Sequence, residues 1–258
     1  MQKATDLTRL FCEAYRLFLH RGLEELISRG GGRLVAGVDE AGRGCLAGPV
    51  VAAAVLVDAR CTASVPGVDD SKKVPAERRE MLARAVRDSS VASAWVAVSA
   101  DTIERVNILQ ATRLAMRRAV AELPVRPDAV IVDAVPLELD DRSIPCIPVV
   151  RGDAWCYAVA CASLIAKTER DRLMERYHRQ YPAYGFADNK GYGAPDHRRA
   201  LDELGPTPIH RLTFRSVVPR HSPDGDLAAP AGRAGSRPEG GRLRPDVHQP
   251  ALAPGWGA

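Results

Sequence analysis

Apolar residues recur at helical spacing near the start of the chain. Within Leu7–Ile27 they fall on one side of a helix, and the run Gly30-Gly31-Gly32 then ends it. Two segments rich in β-formers follow, Leu34–Val38 and Pro49–Val57, with glycines between them. The pattern predicts a helical N-terminal extension over residues 1–32 and then a hairpin of two strands.

The middle of the chain alternates between helical and strand patterns. Further strands are predicted at Ala94–Val98, Ala129–Val132 and Cys146–Val150. Further helices are predicted from near Pro75, from a capping box of Asp101 and Glu104 up to Pro124, and from Trp155 to about Gln180. Early strands followed by alternating helices and strands indicate an α/β fold, with a mixed sheet flanked by helices.

The last part of the chain has a different character. After Val218, prolines alternate with glycines and arginines, and apolar residues become sparse. Such a composition buries too little apolar surface to fold by itself, so residues 219–258 are predicted to be a disordered tail. The folded domain is therefore expected to span residues 33–218.

Composition narrows the class of protein without naming its chemistry. The 258 residues are 46% hydrophobic and 26% charged, enough for a substantial core. No long apolar run and no export signal at Met1–Leu10 are present, so we expect a cytoplasmic protein with no membrane contact. The net charge of +4 discriminates little. The six cysteines lie at spacings that suggest neither a zinc site nor disulfides: Cys12, Cys45, Cys61, Cys146, Cys156 and Cys161.

Carboxylates occur where apolar strands end. Asp39 and Glu40 close the first strand before a glycine-rich turn, a pair that is equally compatible with an ordinary polar strand terminus. Asp133 and Asp153 each follow another apolar strand, so the sheet is expected to bring three or four acids together. Clustered carboxylates repel one another unless a cation neutralises them, and hard divalent cations prefer oxygen ligands.

This pattern favours two divalent ions, Mg²⁺ or Mn²⁺, which act on a phosphodiester when they lie about 3.5 to 4 Å apart. Adjacent residues of a strand point to opposite faces, so Asp39 and Glu40 do not both point inward from a regular strand. We expect Asp39 to bridge the metals, and Glu40 to contribute its backbone carbonyl or a bent side chain.

Cationic and donor groups surround these acids in the sequence. Gly42-Arg43-Gly44 offers backbone N–H groups and a guanidinium, as a sugar-phosphate chain requires. A hydroxyl and further ammonium groups come from Ser71, Lys72, Lys73, Lys167 and Lys190. Phosphate contacts of this kind supply affinity with little sequence selectivity. Each lysine is also compatible with a solvated surface charge, the interpretation favoured for Lys73 and Lys190.

With these residues assembled, the chain from about Leu34 to Val218 resembles ribonuclease HII, the type 2 ribonuclease H. The matching motifs are Ala-Gly-Val-Asp-Glu-Ala-Gly-Arg-Gly at 36–44, Asp-Ser-Lys-Lys at 70–73, Arg-Gly-Asp-Ala at 151–154, Ala-Ser-Leu-Ile-Ala-Lys at 162–167, Tyr-Gly-Phe at 184–186 and Lys-Gly-Tyr-Gly at 190–193. Each motif is weak by itself, but their order and spacing together are specific.

The resemblance implies a ribonuclease H-like fold, a five-stranded mixed sheet with a small helical C-terminal extension. It implies that Asp39, Glu40, Asp133 and Asp153 are the catalytic, metal-binding acids. The implied substrate-binding residues are Gly42, Arg43, Gly44, Ser71, Lys72, Lys167 and Tyr192. Of these, the glycine-rich turn would read the ribose 2′-OH, and Tyr192 would stack beneath the neighbouring deoxyribose, although a core aromatic is the alternative for Tyr192.

The implied reaction is hydrolysis of RNA in RNA/DNA hybrids, and incision on the 5′ side of a single ribonucleotide in duplex DNA, leaving 3′-OH and 5′-phosphate ends. A monomer is the default, and any replication or repair partner is unknown. Two rivals are kept: a ribonuclease H that needs several consecutive ribonucleotides, and a non-catalytic nucleic-acid binding module. The sequence departs from the family pattern at Cys45, at Ala134-Val135 and at Asn189.

Overall fold

A computed structural model describes residues 21–61, 64–69, 71, 74–215 and 217, together with the backbone of 246–249. In this part of the chain the strands form one sheet of order β5-β4-β1-β2-β3-β6. The strands are β1 (Leu34–Ala41), β2 (Val50–Asp58), β3 (Ala92–Val98), β4 (Ala129–Asp133), β5 (Cys146–Val149) and β6 (Asp246–Gln249). β4 runs parallel to β1 and β5, whereas β1–β2, β2–β3 and β3–β6 are antiparallel pairs. The predicted mixed sheet of five strands is confirmed, and β6 is added at its edge.

Helices pack on both faces of the sheet and continue beyond it. They are α1 (Gly22–Arg29), α2 (Ala76–Ser89), α3 (Ala100–Val106), α4 (Ile108–Ala121), α5 (Gly152–Trp155), α6 (Tyr157–Gln180), α7 (Phe186–Asn189) and α8 (Pro195–Leu204). A 3₁₀ turn at Pro182–Tyr184, α7 and α8 form the expected helical extension after the sheet. None of the helices in the described ranges has the length and apolarity needed to cross a bilayer.

The central strand β1 is buried on both faces, so its alternating residues enter two separate cores. Val35 and its same-face neighbours pack against α6 and α2. Ala36 and Val38 face the opposite core, which also contains Ala111, Ala115 and Ala119 of α4. Two-sided burial explains why β1 and β2 are almost continuously apolar. The face of a side chain on β1 is therefore fixed by its odd or even position.

The predicted capping box of Asp101 and Glu104 is wrong. The Ser99 side chain caps α3 by accepting a hydrogen bond from Thr102 N–H, and Asn107 caps a second helix, α4, by accepting from Gln110 N–H. Asn107 has φ 68°, so it breaks the single helix that the pattern predicted. The Glu104 carboxylate accepts instead from the backbone N–H of Leu212, because a distant loop reaches it.

The two ends of the chain are described in part. Residues 1–20 lie outside the described residues, so of the predicted N-terminal helix Leu7–Ile27 only its last part is seen, in α1 from Gly22 onward. Leu23 and Ile27 pack against the core of α6 and α2. In the predicted disordered tail 219–258, the prediction is wrong for Asp246–Gln249, which pair with β3, because the exposed edge of β3 offers backbone partners to a short segment. The other residues of that tail lie outside the described ranges.

A buried carboxylate links α1 to the start of α6. Glu24 is 1% exposed, and its Oε1 accepts a hydrogen bond from Ala158 N–H at 3.0 Å. The first N–H groups of a helix have no partner within the helix, so this contact caps α6. Burial raises the pKa of Glu24, and the Ala158 N–H opposes that rise.

The closest contact between β1 and α6 predicts a stability effect. A methyl group at Gly37 would lie 2.0 Å from the carbonyl carbon of Ala158. Gly37→Ala is therefore expected to lower the free energy of unfolding by about 3 kcal/mol or more. Gly44→Ala, where the added methyl meets nothing within 4 Å, is the control and should change it by less than about 0.5 kcal/mol. Urea denaturation checks this, and equal effects of the two substitutions would contradict the packing described.

Glu24 predicts a pH-dependent effect on stability. An acid whose pKa is raised in the folded state contributes stability below its unfolded pKa, and that contribution is lost as the pH rises through the folded pKa. Glu24→Gln keeps an oxygen acceptor for Ala158 N–H and removes the charge. The variant should gain stability relative to the wild-type protein as the pH rises from 4 to 7, measured by urea denaturation. A constant difference across that range would refute the burial argument.

Candidate active site

The parallel register of β1 and β4 brings two acids together. Val38 lies opposite Val132, so Asp39 and Asp133 follow this pair at the same ends of adjacent strands. Both occupy odd positions, the face on which Val35 and Ile131 pack against α6. The predicted convergence of carboxylates at the sheet edge is therefore present for this pair.

Asp39 lies in an environment that opposes its ionisation. It is 5% exposed, and its pKa is raised well above the ordinary value. Burial is the largest cause, followed by the negative charges of Glu40 and Asp133. Hydrogen bonds from Ser163 and from Glu40 N–H, the latter at 2.7 Å, oppose the rise incompletely. A positive charge beside this carboxylate would offset both the cost of burying its negative charge and its repulsion by the neighbouring acids.

Ser163 and Ser71 form a buried support behind Asp39. Ser163 lies on α6, is 4% exposed and hydrogen-bonds to the Asp39 carboxylate. Its hydroxyl oxygen is 2.9 Å from that of Ser71, which is also 4% exposed. Ser71, expected to bind substrate, therefore points into the protein, since its hydroxyl is engaged with α6.

Glu40 occupies the opposite side of β1 from Asp39, as the alternation of strand residues requires. Its side chain is 10% exposed, and Oε1 accepts from the Arg43 guanidinium at 3.1 Å. Glu40 is close enough to raise the pKa of Asp39. It therefore belongs to the same group of charges, although it approaches from the other face.

Asp153 reaches this region from a helix and not from a strand end. β5 ends at Val149, Arg151 adopts a left-handed conformation with φ 59°, and Asp153 lies in the short helix α5. The preceding N–H, of Gly152, donates to Asp133 Oδ1 at 2.7 Å. Asp153 is 6% exposed. The expectation that Asp153 directly follows a strand is thus corrected, and its neighbour in the chain is hydrogen-bonded to Asp133.

The donor chemistry at this edge suits a hard divalent cation. Asp39 combines burial with two neighbouring negative charges, the situation in which a bound cation is most favourable. Across the described ranges, however, no three His, Cys, Asp or Glu side chains surround a common point at distances suited to an ion. The acids form adjacent pairs, Asp39 with Asp133 and Asp39 with Glu40, and not a closed cage.

The turn after β1 contains two glycines with different roles. Gly42 has φ +94°, and a methyl group there would lie 1.9 Å from Arg170 Nε, so the fold itself requires glycine. At Gly44 a methyl group would meet nothing within 4 Å. The surface above Gly44 is therefore open, while the Arg43 side chain between the glycines is 45% exposed. An extended ligand has room to approach the backbone at Gly44.

Two buried arginines hold this turn by its backbone carbonyls. Arg170 and Arg211 are both fully buried. Arg211 donates to the carbonyls of Gly42, Arg43 and Gly48 at 2.8 to 3.0 Å. Arg170 donates to those of Pro49, Ala47 and Lys190. Burial and the neighbouring Arg170 lower the pKa of Arg211 to about 10, so the Arg211 guanidinium is still charged at neutral pH.

Tyr192 lies at the surface beside this turn. It is 46% exposed, which excludes the alternative of a core aromatic. The Arg170 guanidinium carbon is 5.9 Å from its ring centroid, and the Cys45 side chain hydrogen-bonds to it. Leu46 N–H donates to Gly191 O at 2.8 Å and joins the two loops. The structure thus brings Tyr192 next to the glycine-rich turn.

The lysines are less available than the sequence suggested. Lys167 donates to Asp171 at 2.5 Å with a side chain 19% exposed, and burial lowers its pKa. Lys190 pairs with Glu175 at 2.9 Å, and its side chain is 19% exposed, so it is an ion-paired lysine and not a fully solvated surface charge. Asp70, Lys72 and Lys73 lie outside the described residues. Among the residues that the structure describes, the cationic groups in contact with the turn are Arg43, Arg170 and Arg211.

The departures from the family pattern have structural counterparts. Ala134 adopts φ 49°, a conformation that glycine takes without strain, while Val135 is buried in the core around α4. Asn189 donates to Tyr184 O at 2.7 Å and accepts from Gly191 N–H at 2.8 Å. Asn189 therefore shapes the loop that carries Tyr192.

Sequence analysis missed several polar residues that organise this region. They are Ser163, Arg170, His197, His210 and Arg211. All are nearly or fully buried. A polar residue inside the apolar first half of α6 was an available signal for Ser163, whereas Arg170 lies in the charged stretch 167–172, where nothing in the sequence marks it as buried. Burial of His210-Arg211 in a segment without regular periodicity gave no such signal.

Comparisons with known proteins agree with this arrangement. The family model described as Ribonuclease HII matches residues 36–217. A ribonuclease HII of Geobacter metallireducens is 48% identical over 203 residues, covering 78% of this chain and 92% of the relative. One of Paracoccus denitrificans is 50% identical over 200 residues, covering 76% and 91%. The crystal structure of ribonuclease H2 from Pyrococcus horikoshii matches with a TM-score of 0.64 and 27% identity, covering 71% of this chain and 95% of that one. The chain therefore belongs to the ribonuclease HII family and is a ribonuclease H hydrolase, which acts on RNA in RNA/DNA hybrids.

Proposed function

We propose that the protein also incises duplex DNA on the 5′ side of a single embedded ribonucleotide, leaving 3′-OH and 5′-phosphate ends. The observation that carries this proposal is the meeting of three features at one edge of the sheet. They are the pair of buried Asp39 and half-buried Asp133, the open backbone at Gly44 and the half-exposed ring of Tyr192. The acids proposed to hydrolyse the phosphodiester then lie next to the residues proposed to bind the ribonucleotide and its neighbour.

Asp39, Glu40, Asp133 and Asp153 are proposed to hold two divalent ions, Mg²⁺ or Mn²⁺. When bound, such ions activate a water molecule and stabilise the leaving oxygen of a phosphodiester. Asp39 contributes a carboxylate whose repulsion with Glu40 and Asp133 favours cation binding. Ser163 orients that carboxylate from α6, and Gly152 N–H orients Asp133. Ser71 supports Ser163 and is not proposed to touch the substrate.

The glycine-rich turn is proposed to read the ribose. Its backbone is held from below by Arg211 and Arg170, and the side of Gly44 on which a methyl group would project faces open space. Arg43 extends into solvent while it pairs with Glu40, where it can contact the phosphate chain. The 2′-OH distinguishes RNA from DNA, and no base needs to be read. Lys72 and Lys167 are also proposed to contact phosphates. Lys167 already pairs with Asp171, so its charge is partly neutralised before substrate binds.

Tyr192 is proposed to stack on the deoxyribose that follows the ribonucleotide. Its exposed ring flanks the turn, and the loop that carries it is bonded to Leu46. The glycine-rich turn would contact the ribose and Tyr192 the deoxyribose that follows it. This arrangement suits a single RNA–DNA junction better than a run of consecutive ribonucleotides. This separates the proposal from a ribonuclease H that needs several consecutive ribonucleotides.

A direct test compares a duplex with one ribonucleotide and a full RNA/DNA hybrid, in Mg²⁺, in Mn²⁺ and in excess chelator. We expect incision of both substrates, a single cut 5′ of the ribonucleotide in the first, and no incision in chelator. Cleavage of the hybrid without any cut in the one-ribonucleotide duplex would refute the junction proposal. Cleavage that continues unchanged in chelator would refute the metal proposal.

Asp39→Asn should abolish cutting and leave duplex binding nearly unchanged, because it removes a metal ligand and not a phosphate contact. The rate should fall by more than about a hundredfold. Single-turnover cleavage and a filter-binding isotherm measure the two effects. Glu138→Gln, an exchange at a side chain 90% exposed, is the control and should leave both unchanged. A variant with near-normal cleavage would remove Asp39 from the ligand set.

Gly44→Ala should lower kcat/KM on the one-ribonucleotide duplex while the fold is retained. The added methyl meets no protein atom, so the melting temperature should stay close to wild type. It would occupy the open side of the turn and displace the ribose contact, with a loss of about tenfold or more in kcat/KM on the one-ribonucleotide duplex, the size expected for a polar contact of about 1.5 kcal/mol. Unchanged kcat/KM would show that the substrate does not approach Gly44.

A further inference from the structure

Two buried histidines form a direct contact behind the Tyr192 loop. His197 on α8 is fully buried, and His210 is 2% exposed. Their Nε2 atoms lie 2.9 Å apart. The rings are enclosed by Tyr184 and Phe186, with centroid distances of 5.1 Å from Tyr184 to His210 and 5.3 Å from Phe186 to His197. This packing leaves the imidazoles little freedom to turn.

The hydrogen bonds fix which nitrogen carries each proton. Thr207 N–H donates to His210 Nδ1 at 2.8 Å, so that nitrogen accepts and the proton of His210 is on Nε2. His210 Nε2–H then donates to His197 Nε2. His197 carries its own proton on Nδ1, which donates to the Tyr192 carbonyl at 2.7 Å. A chain of three hydrogen bonds thus runs from Thr207 to Tyr192.

Both histidines are held in the neutral form that this chain requires. Burial lowers the pKa of His197, and burial together with His197 lowers the pKa of His210 to about 4. Each imidazole therefore has one donor and one acceptor nitrogen at neutral pH. Thr207 sets the direction in which the three hydrogen bonds donate, and the last of them ends on the Tyr192 carbonyl.

The same segment also holds the glycine-rich turn. Arg211, next to His210, donates to the carbonyls of Gly42 and Arg43, and its own N–H donates to Leu46 O at 2.9 Å. The His210-Arg211 pair therefore contacts the glycine-rich turn directly, and the Tyr192 loop through His197. His210 and Arg211 therefore fix the position of the glycine-rich turn relative to the Tyr192 loop.

We propose that His197 and His210 are positioning residues that fix Tyr192 relative to the glycine-rich turn, and thereby set the preference for a single ribonucleotide junction. The inference rests on the proposed role of Tyr192. Neither histidine touches the substrate in this account. The Tyr192 carbonyl accepts a second hydrogen bond from Ala194 N–H at 2.8 Å, so loss of the imidazole contact loosens the loop without unfolding it.

Two substitutions at His197 separate the two ends of the chain of hydrogen bonds. Asn places an amide N–H where Nδ1 stands, so His197→Asn keeps the donor to Tyr192 and loses the acceptor for His210. Gln places an amide oxygen near Nε2, so His197→Gln keeps the acceptor and loses the donor. The measured quantity is the ratio of kcat/KM on the one-ribonucleotide duplex to kcat/KM on the hybrid. Because the ratio is taken on one preparation, any unfolded fraction cancels.

His197→Gln should lower this ratio by about tenfold, the effect of one lost buried hydrogen bond, while His197→Asn keeps it within about threefold even if its melting temperature falls. In a Tyr192→Ala background, His197→Gln should change the ratio no further. A merely structural role would lower the melting temperature of the variants and leave this ratio near that of the wild-type protein in all of them, which would overturn the proposal.

The outcomes also separate this inference from the function it rests on. If Tyr192→Ala lowers the ratio and His197→Gln does not, the positioning role is wrong and Tyr192 remains a reader of the junction. If Tyr192→Ala leaves the ratio unchanged, both the role of Tyr192 and its positioning by the histidines are refuted.

Discussion

The parallel pairing of β1 and β4 is the constraint on which the site depends. Their register places Asp39 and Asp133 at adjacent strand ends on the face covered by α6, where Asp39 is buried. Burial and like charge together raise the pKa of Asp39, so the folded protein retains an unfavourable arrangement of charge. A bound cation relieves repulsion of this kind. The carboxylates whose charges are unfavourable in the folded protein are therefore the same ones that are proposed to bind the metal ions.

The loops that would read the substrate depend on a different interaction. Arg170 and Arg211 are buried, and the acceptors described for them are backbone carbonyls of the turn between β1 and β2 and of the Tyr192 loop. The carbonyls of Gly42, Arg43 and Gly48 point inward to Arg211, whereas the backbone at Gly44 borders open space, where a sugar-phosphate chain has room to approach. Rigid support beneath an open surface explains how a loop recognises one nucleotide step.

Strong local patterns made most of the fold predictable. The apolar strands predicted the sheet, helical spacing predicted its main helices, and the strand-end acids predicted that Asp39 and Asp133 lie together. Asn107 was missed, since a left-handed cap inside a helical pattern leaves no periodic signal. Burial of Ser71 depends on Ser163, which lies 92 residues further along the chain. The ion pair of Lys167 with Asp171 is an i,i+4 pair on one helix, a local signal that was overlooked. The edge strand Asp246–Gln249 gains its partner from β3, which its own composition does not reveal.

Thermal unfolding with and without a divalent ion tests the central claim most directly, because a ligand that binds the folded state raises its melting temperature. The wild-type protein and Asp39→Asn are compared in chelator and in millimolar Mn²⁺. The account predicts that Asp39→Asn is at least as stable as wild type in chelator, because repulsion is removed, and that Mn²⁺ raises the melting temperature of wild type well above that of the variant. Equal shifts in the two proteins, or no shift in wild type, would contradict it.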